Sequence, residues 1–356
     1  MSKKLTQPLK GRGALSNPDN RFEEISRELI DDGWDNLEIT PSPIRTSLTV
    51  DSAKTVISYN QSPDVPFDRS INPYRGCEHG CVYCFARPTH AWLGLSPGLD
   101  FETKLFYKPD AAQLLKKEIN KKNYRCAPIA VGINTDAYQP VERKLGITRQ
   151  ILEVLAEHRH PFSIVTKSAM IERDIDILAE MAKDDLVQIA VSITTLNHDL
   201  VRKLEPRATA PQRRLETVAR LSDAGIPVAV LAAPLIPVLT DSELETILKA
   251  AREAGASWAG YVFLRLPHEL KELFQDWLEE HEPLKAEYIM NRIRDSRGGQ
   301  AYQAQFGKRM SGEGIFADLL KQRYQLAMKQ LAFPGSSELN TSLFKQNTTK
   351  AQFELF

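Results

Sequence analysis

Five short apolar runs, at 129–133, 162–165, 186–193, 228–235 and 258–264, alternate with stretches of helical periodicity at 141–158, 171–183, 210–224 and 241–254. No other feature constrains the fold as much. Apolar runs of this length suit strands buried on both faces, which occur in parallel sheets covered by helices. Strands separated by helices of about ten to fifteen residues predict successive βα units. A further strand is expected at 67–74, which brings the number to six. Gly225 followed by Ile226-Pro227 reads as a helix stop. In sheets of this kind, functional side chains gather at the C-terminal ends of the strands.

The 356 residues suffice for one large domain or two modest ones. Hydrophobic content of 42% and charged content of 26% are ordinary for a soluble globular enzyme, and a formal net charge of zero gives no global argument for nucleic acid. The longest apolar run, 226–239, is broken by Pro227, Pro234 and Pro237 and is too short to span a bilayer. No apolar signal core follows the N-terminal lysines, so no membrane association and a cytoplasmic location are expected. Residues 1–50 read as an N-terminal arm with a loop at 11–18 and a short helix at 21–30. The α/β unit is expected over 51–282. A basic helical extension follows at 283–333, with nine Lys/Arg against four acids from 284 on, and then a flexible tail at 334–356.

Between the first two expected strands lies Cys77-Glu-His-Gly-Cys81-Val-Tyr-Cys84. Three thiolates on one short loop can hold three corners of a [4Fe–4S] cube and leave the fourth iron open. An open metal position is the mark of a catalytic site. The alternative is a structural zinc site completed by His79, His90 or Cys126, although no second Cys-x2-Cys pair is present. Four cysteines in the chain is a cytosolic level of usage, against a disulfide framework. At the strand ends, Thr135, Asp136, Lys167, Ser192, Glu205 and Arg207 are the polar candidates. Lys167 or Arg207 could pair a carboxylate, and Thr135, Asp136 and Ser192 could take an amine or a ribose. Several of these residue types also cap helices.

The cysteine loop, with the aromatic Tyr83 before its last cysteine, resembles the cluster loop of the radical S-adenosylmethionine (radical SAM) superfamily. The segments 70–77, 135–142, 165–168 and 204–207 resemble its spore photoproduct lyase-like branch. The resemblance implies a six-fold partial (β/α) barrel with a [4Fe–4S] cluster on Cys77, Cys81 and Cys84. It also implies S-adenosylmethionine chelated to the open iron and cleaved reductively to a 5′-deoxyadenosyl radical. Thr135, Lys167 and Ser192 are the positions it places at the cofactor, Tyr83, Asp136, Glu205 and Arg207 are the further cofactor candidates in the matching segments, and a flavodoxin or ferredoxin is the implied electron donor. A nucleic acid base, in DNA repair or RNA modification, is the implied substrate. Where the lyase carries a hydrogen-donor cysteine this chain has Ile133 and Asn134, and Phe85 stands where the lyase has tyrosine. Thymine-dimer splitting therefore does not carry over. Cys126 is expected at the opposite end of its strand, as a small buried hydrophobe. The last residues, Gln352-Phe-Glu-Leu-Phe356, resemble the peptide that docks on the DNA sliding clamp through Gln352, Leu355 and Phe356. A non-catalytic iron–sulfur or zinc module recruited to DNA by this tail is the alternative to an enzyme.

Overall fold

The computed structural model describes residues 9–22 and 45–346. Its strands are β1 (Ser47–Val50), β2 (Ile57–Tyr59), β3 (Arg69–Ile71), β4 (Tyr74–Arg75), β5 (Lys104–Tyr107), β6 (Ile129–Val131), β7 (Phe162–Thr166), β8 (Val187–Ser192), β9 (Val228–Leu235) and β10 (Trp258–Phe263). The helices are α1 (Leu99–Thr103), α2 (Ala111–Ile119), α3 (Glu142–Leu145), α4 (Ile147–Glu157), α5 (Ile175–Ala182), α6 (His198–Leu204), α7 (Pro211–Asp223), α8 (Leu244–Glu253), α9 (Leu270–His281), α10 (Ala286–Asp295) and α11 (Ile315–Leu331).

One sheet has the order β2-β3-β6-β7-β8-β9-β10. From β3 to β10 every neighbouring pair is parallel, and only the edge strand β2 is antiparallel. These are the six parallel strands of the expected partial barrel, and each falls within its expected run or one residue beyond it. Phe162, Ile164 and Thr166 of β7 are buried, while Ser163 and Val165 between them are half-buried, as both faces of the sheet are covered. The covering helices show their apolar stripes at helical spacing, such as Ile151, Leu152 and Leu155 on α4 and Leu244, Ile247, Leu248 and Ala251 on α8.

Several boundaries differ from expectation. The helix expected over 141–158 is two helices, because Gly146 at φ 64° ends α3 and starts α4. A second sheet of order β1-β5-β4 was not expected, since strands of two to four residues are too short for a periodic signal. The segment 283–333 is helical, as expected, with α10 and α11. Its helix α11 packs on α8 and contributes Leu320 and Ala327 to the main core. In the described part of the expected tail, Leu343 and Phe344 pack on the core, Lys345 N donates to His158 O and Gln346 Nε2 to Ile119 O. The arm is likewise docked over 14–16, where Ala14, Leu15 and Ser16 are buried. The helix expected at 21–30 falls on residues of which only 21 and 22 are described, and the clamp-like peptide lies outside the described residues.

The loop 305–312 joins the two margins of the open sheet. Phe263 N at the end of β10 donates to Met310 O at 2.8 Å. Gly307 N donates to Asp64 Oδ1 at 2.7 Å, in the turn that follows β2, and Arg309 forms an ion pair with the same carboxylate. Among the described residues, no helix is long and apolar enough to cross a membrane.

Candidate active site

Parallel strands place all their C-terminal ends on one rim, and the cysteine loop follows β3 and β4 at that rim. The loop is fixed by its own sequence. Gly76 and Gly80 take φ values of +75° and +70°, and a Cβ on Gly76 would lie 2.7 Å from Leu105 Cδ2. Arg87, three residues past the last cysteine, is fully buried beneath the loop. Its Nε donates to Cys81 O at 2.8 Å and its Nη2 to Gly80 O at 3.1 Å. Nη1 donates to Pro97 O and Gly98 O, and Nη2 also pairs with Glu102 Oε1 at 2.5 Å. Glu102 in turn accepts Gly13 N at 3.1 Å and Ala14 N at 2.9 Å, which draws the N-terminal segment across the loop. The approach is close enough that a Cβ on Gly13 would meet Gly80 O at 1.9 Å.

Cys77 and Cys81 are buried and Cys84 is half-buried. Burial pushes all three thiols above their ordinary pKa, and Glu205 adds to this at Cys81 while Lys167 opposes it. Three soft sulfur donors on one loop, in a site that disfavours free thiolates, fit a group that brings its own positive charge, as an iron–sulfur cluster does. The fourth ligands considered for zinc are engaged or remote. His90 Nε2 lies 2.9 Å from Lys104 O, and His79 Nδ1 lies 3.4 Å from Asp136 Oδ2. Cys126 is half-buried ahead of β6, at the opposite rim, as expected from its strand position. Among the described residues, no three His, Cys, Asp or Glu side chains are placed to hold a single metal ion.

Four of the expected cofactor residues converge. Lys167, just past β7, donates from Nζ to Ser192 Oγ at 2.9 Å, Thr194 Oγ1 at 3.0 Å and Ala233 O at 3.1 Å, and lies 3.2 Å from Glu205 Oε1. Tyr83 OH reaches Thr194 Oγ1 at 2.9 Å and also bonds Glu205. Burial pushes the Glu205 carboxyl up, but Arg214, Lys167, Thr194 and Tyr83 together hold it well below the usual carboxylate range. Glu205 is thus the anionic hub that holds Lys167 and Tyr83, rather than a group open to a ligand. Val82 N donates to Leu204 O at 3.1 Å, which ties this hub to the cysteine loop.

Thr135, Asp136 and Arg207 stand outside that cluster. Thr135 Oγ1 donates to Tyr74 O at 2.9 Å. Asp136 accepts Thr166 Oγ1 and Lys167 N, each at 2.7 Å, and Tyr138 N at 2.9 Å, so it fastens the ends of β6 and β7 together. Its burial favours the neutral acid, yet His79 and these donors keep its pKa low. Arg207 pairs with Glu78 Oε1 at 3.0 Å, and its N–H donates to His79 O. Sequence reasoning missed Arg87, Glu102 and Arg214. Arg214 donates to Ser192 O at 2.8 Å and Thr209 O at 2.6 Å and pairs with Glu205.

The fold is thus a parallel α/β sheet that carries a three-cysteine loop on the rim where a buried lysine–carboxylate cluster lies. The model of the Radical SAM superfamily matches residues 71–251, more than half of the chain, and the chain belongs to that superfamily. An uncharacterized protein of Mycobacterium tuberculosis is 37% identical over 221 residues, which cover 62% of this chain and 65% of the relative. One of Methanocaldococcus jannaschii is 27% identical over 228 residues, 64% of this chain and 81% of that one. Among solved structures, spore photoproduct lyase complexed with dinucleoside spore photoproduct superposes with a TM-score of 0.59 at 15% identity, covering 81% of this chain and 80% of that one. A mutant of that enzyme with bound AdoMet and the same dinucleoside gives a TM-score of 0.57 at 14% identity, with 83% and 82% covered. At such identities the likeness is one of fold.

Proposed function

We propose that this chain is a radical SAM enzyme that binds a [4Fe–4S] cluster through Cys77, Cys81 and Cys84 alone and cleaves S-adenosylmethionine. The observation that carries this reading is the joining of the cysteine loop to the Lys167–Glu205 cluster at one rim of the barrel. When bound, the reduced cluster supplies the electron for cleavage of the sulfonium. The chain's own residues bind and orient. Arg87 fixes the carbonyls of the cysteine loop before any metal arrives, and the 13–16 segment covers that loop from water. Lys167, held by Glu205, presents a cation beside Ser192 and Thr194, where a carboxylate can exchange for the Ala233 carbonyl. Asp136 holds the backbone N–H of Lys167 and so positions the lysine.

The substrate class we propose is a nucleic acid base. It is supported by the fold shared with spore photoproduct lyase, whose solved complex contains a dinucleoside. The basic segment 284–333 supports it less than its net charge suggests. Arg297 is buried against backbone carbonyls, Arg309 pairs with Asp64, Arg323 with Glu245 and Lys308 with Glu313. A flavodoxin or ferredoxin as electron donor, a reducing cytoplasmic location, and clamp docking through Gln352, Leu355 and Phe356 complete the reading.

Anaerobic reconstitution tests it. The wild type should bind about four irons per chain and release 5′-deoxyadenosine from S-adenosylmethionine under a chemical reductant. Cys77→Ala, Cys81→Ala and Cys84→Ala should each abolish this, and Cys126→Ala should not. Loss of the cluster in Cys126→Ala as severe as in Cys81→Ala would defeat the open-iron reading.

A further inference from the structure

Arg265 leaves the C-terminal end of β10 between the buried Leu264 and Leu266, on the rim that carries the cysteine loop. Its guanidinium carbon stands 5.0 Å from the ring centroid of Phe85, the residue after Cys84. Among the described residues it has no ion pair, and its one hydrogen bond runs from Nη1 to the weak acceptor Met310 Sδ at 3.6 Å. Its Nε is shielded from solvent and has no partner. The side chain as a whole is half-buried, whereas the fully buried Arg87 and Arg214 each pair with a carboxylate.

The surroundings raise the demand for an anion. Arg297 lies close by and is buried; that burial, and then the charge of Arg265, hold its guanidinium down to about 10. Asp64 lies within the field of Arg265, but its oxygens are taken by Arg309 and Gly307 N. Arg265 thus lies in the field of a second guanidinium, with no carboxylate among the described residues committed to it. A shielded charged donor without an acceptor is expensive, and a planar guanidinium fork matches two oxygens of one oxyanion.

We propose that Arg265 is a substrate-binding residue that takes an oxyanion, a phosphate or a carboxylate, over Phe85 beside the cysteine loop. This rests on the proposed reaction site at the same rim and adds the charge of the substrate to it. The clasp loop 305–312, which carries Met310, forms the outer wall of the position.

The test is equilibrium titration of the reconstituted, full-length protein, without turnover, using three probes: inorganic phosphate, the dinucleotide TpT and succinate. Wild type should bind at least one. Arg265→Gln should bind that probe at least tenfold more weakly, and Arg265→Lys should fall between them because an ammonium lacks the fork. Preference for phosphate or TpT assigns a phosphate source, and preference for succinate a carboxylate. Arg265→Met, which keeps an apolar stem over Phe85, serves if the Gln variant does not fold. Cluster content should match the wild type in every variant, so failure of the cluster reading would show separately. The proposal is overturned if the wild type binds none of the probes, if Arg265→Gln binds them as the wild type does, or if the variant loses S-adenosylmethionine affinity instead.

Discussion

Replacing Arg87 by Met should unseat the cysteine loop without touching a cluster ligand. Methionine fills most of the stem volume, so the change removes mainly charge and donors. Five hydrogen bonds go, four to the carbonyls of Gly80, Cys81, Pro97 and Gly98 and one to Glu102. The greater loss is at Glu102, whose side chain is wholly buried with Arg87 as its cation. Removing one partner of a buried pair costs about 3–5 kcal/mol, a large fraction of a total stability of about 5–15 kcal/mol. Urea unfolding of the cluster-free protein should show this loss as a fall in midpoint. Iron loading should fall as well, since Cys81 loses the hydrogen bond that fixes its carbonyl. Arg87→Met/Glu102→Gln should cost less than the sum of the single changes by about 1–3 kcal/mol, because the second change removes the orphaned charge. The reasoning is refuted if Arg87→Met stays within about 1 kcal/mol of the wild type, or if the two changes add within about 0.5 kcal/mol.

Lys167→Ala should weaken S-adenosylmethionine binding by at least about tenfold, the scale of one charge-assisted bond, with iron content unchanged; equal affinity by titration would remove Lys167 from the site. His160, buried between Tyr124 and Phe344, has its pKa lowered to about 4, chiefly by burial. Its folded value lies below the unfolded one, so its share of stability is complete above pH about 6.5 and is lost as pH falls toward 4. Between pH 7.5 and 5.0 the wild type should therefore lose about 2 kcal/mol more than His160→Gln in urea unfolding, and parallel losses would show that the imidazole is not excluded from protonation. Deleting residues 352–356 should abolish binding to the sliding clamp, expected at about micromolar strength, and leave S-adenosylmethionine cleavage intact; a destabilised enzyme would instead make the peptide part of the fold.

The strands were legible because burial on both faces leaves a continuous apolar run, and β7, β8, β9 and β10 all lie where such runs stand. Helix ends were less so. Gly146 splits one periodic stretch into α3 and α4 without changing which face is apolar. The role of α11 was hidden for another reason. Its apolar stripe says that it packs, but not that it packs on α8, and the intervening α9 and α10 with their own core separate it from β10 in sequence.

At the site, chemistry that depends on spacing along the chain could be read directly, as with the three cysteines. Chemistry that depends on which charge meets which could not. Glu205 was singled out together with Arg207, two residues on, yet its cations are Arg214 and Lys167. A signal for this existed: Pro211, Arg214, Thr217, Val218 and Leu221 form the buried stripe of α7, and an arginine on such a stripe requires a carboxylate. Arg265 also stands between buried apolar neighbours, Leu264 and Leu266, although it is itself half-buried, and the same rule favours an acid beside its shielded Nε. Nothing in the pattern distinguishes the two positions. The structure meets the demand at Arg214 from within the chain, and among the described residues leaves it open at Arg265, beside Phe85 and the cysteine loop. An unmet demand of that kind, on the rim where chemistry is expected, is the physical ground for assigning the missing oxyanion to the substrate.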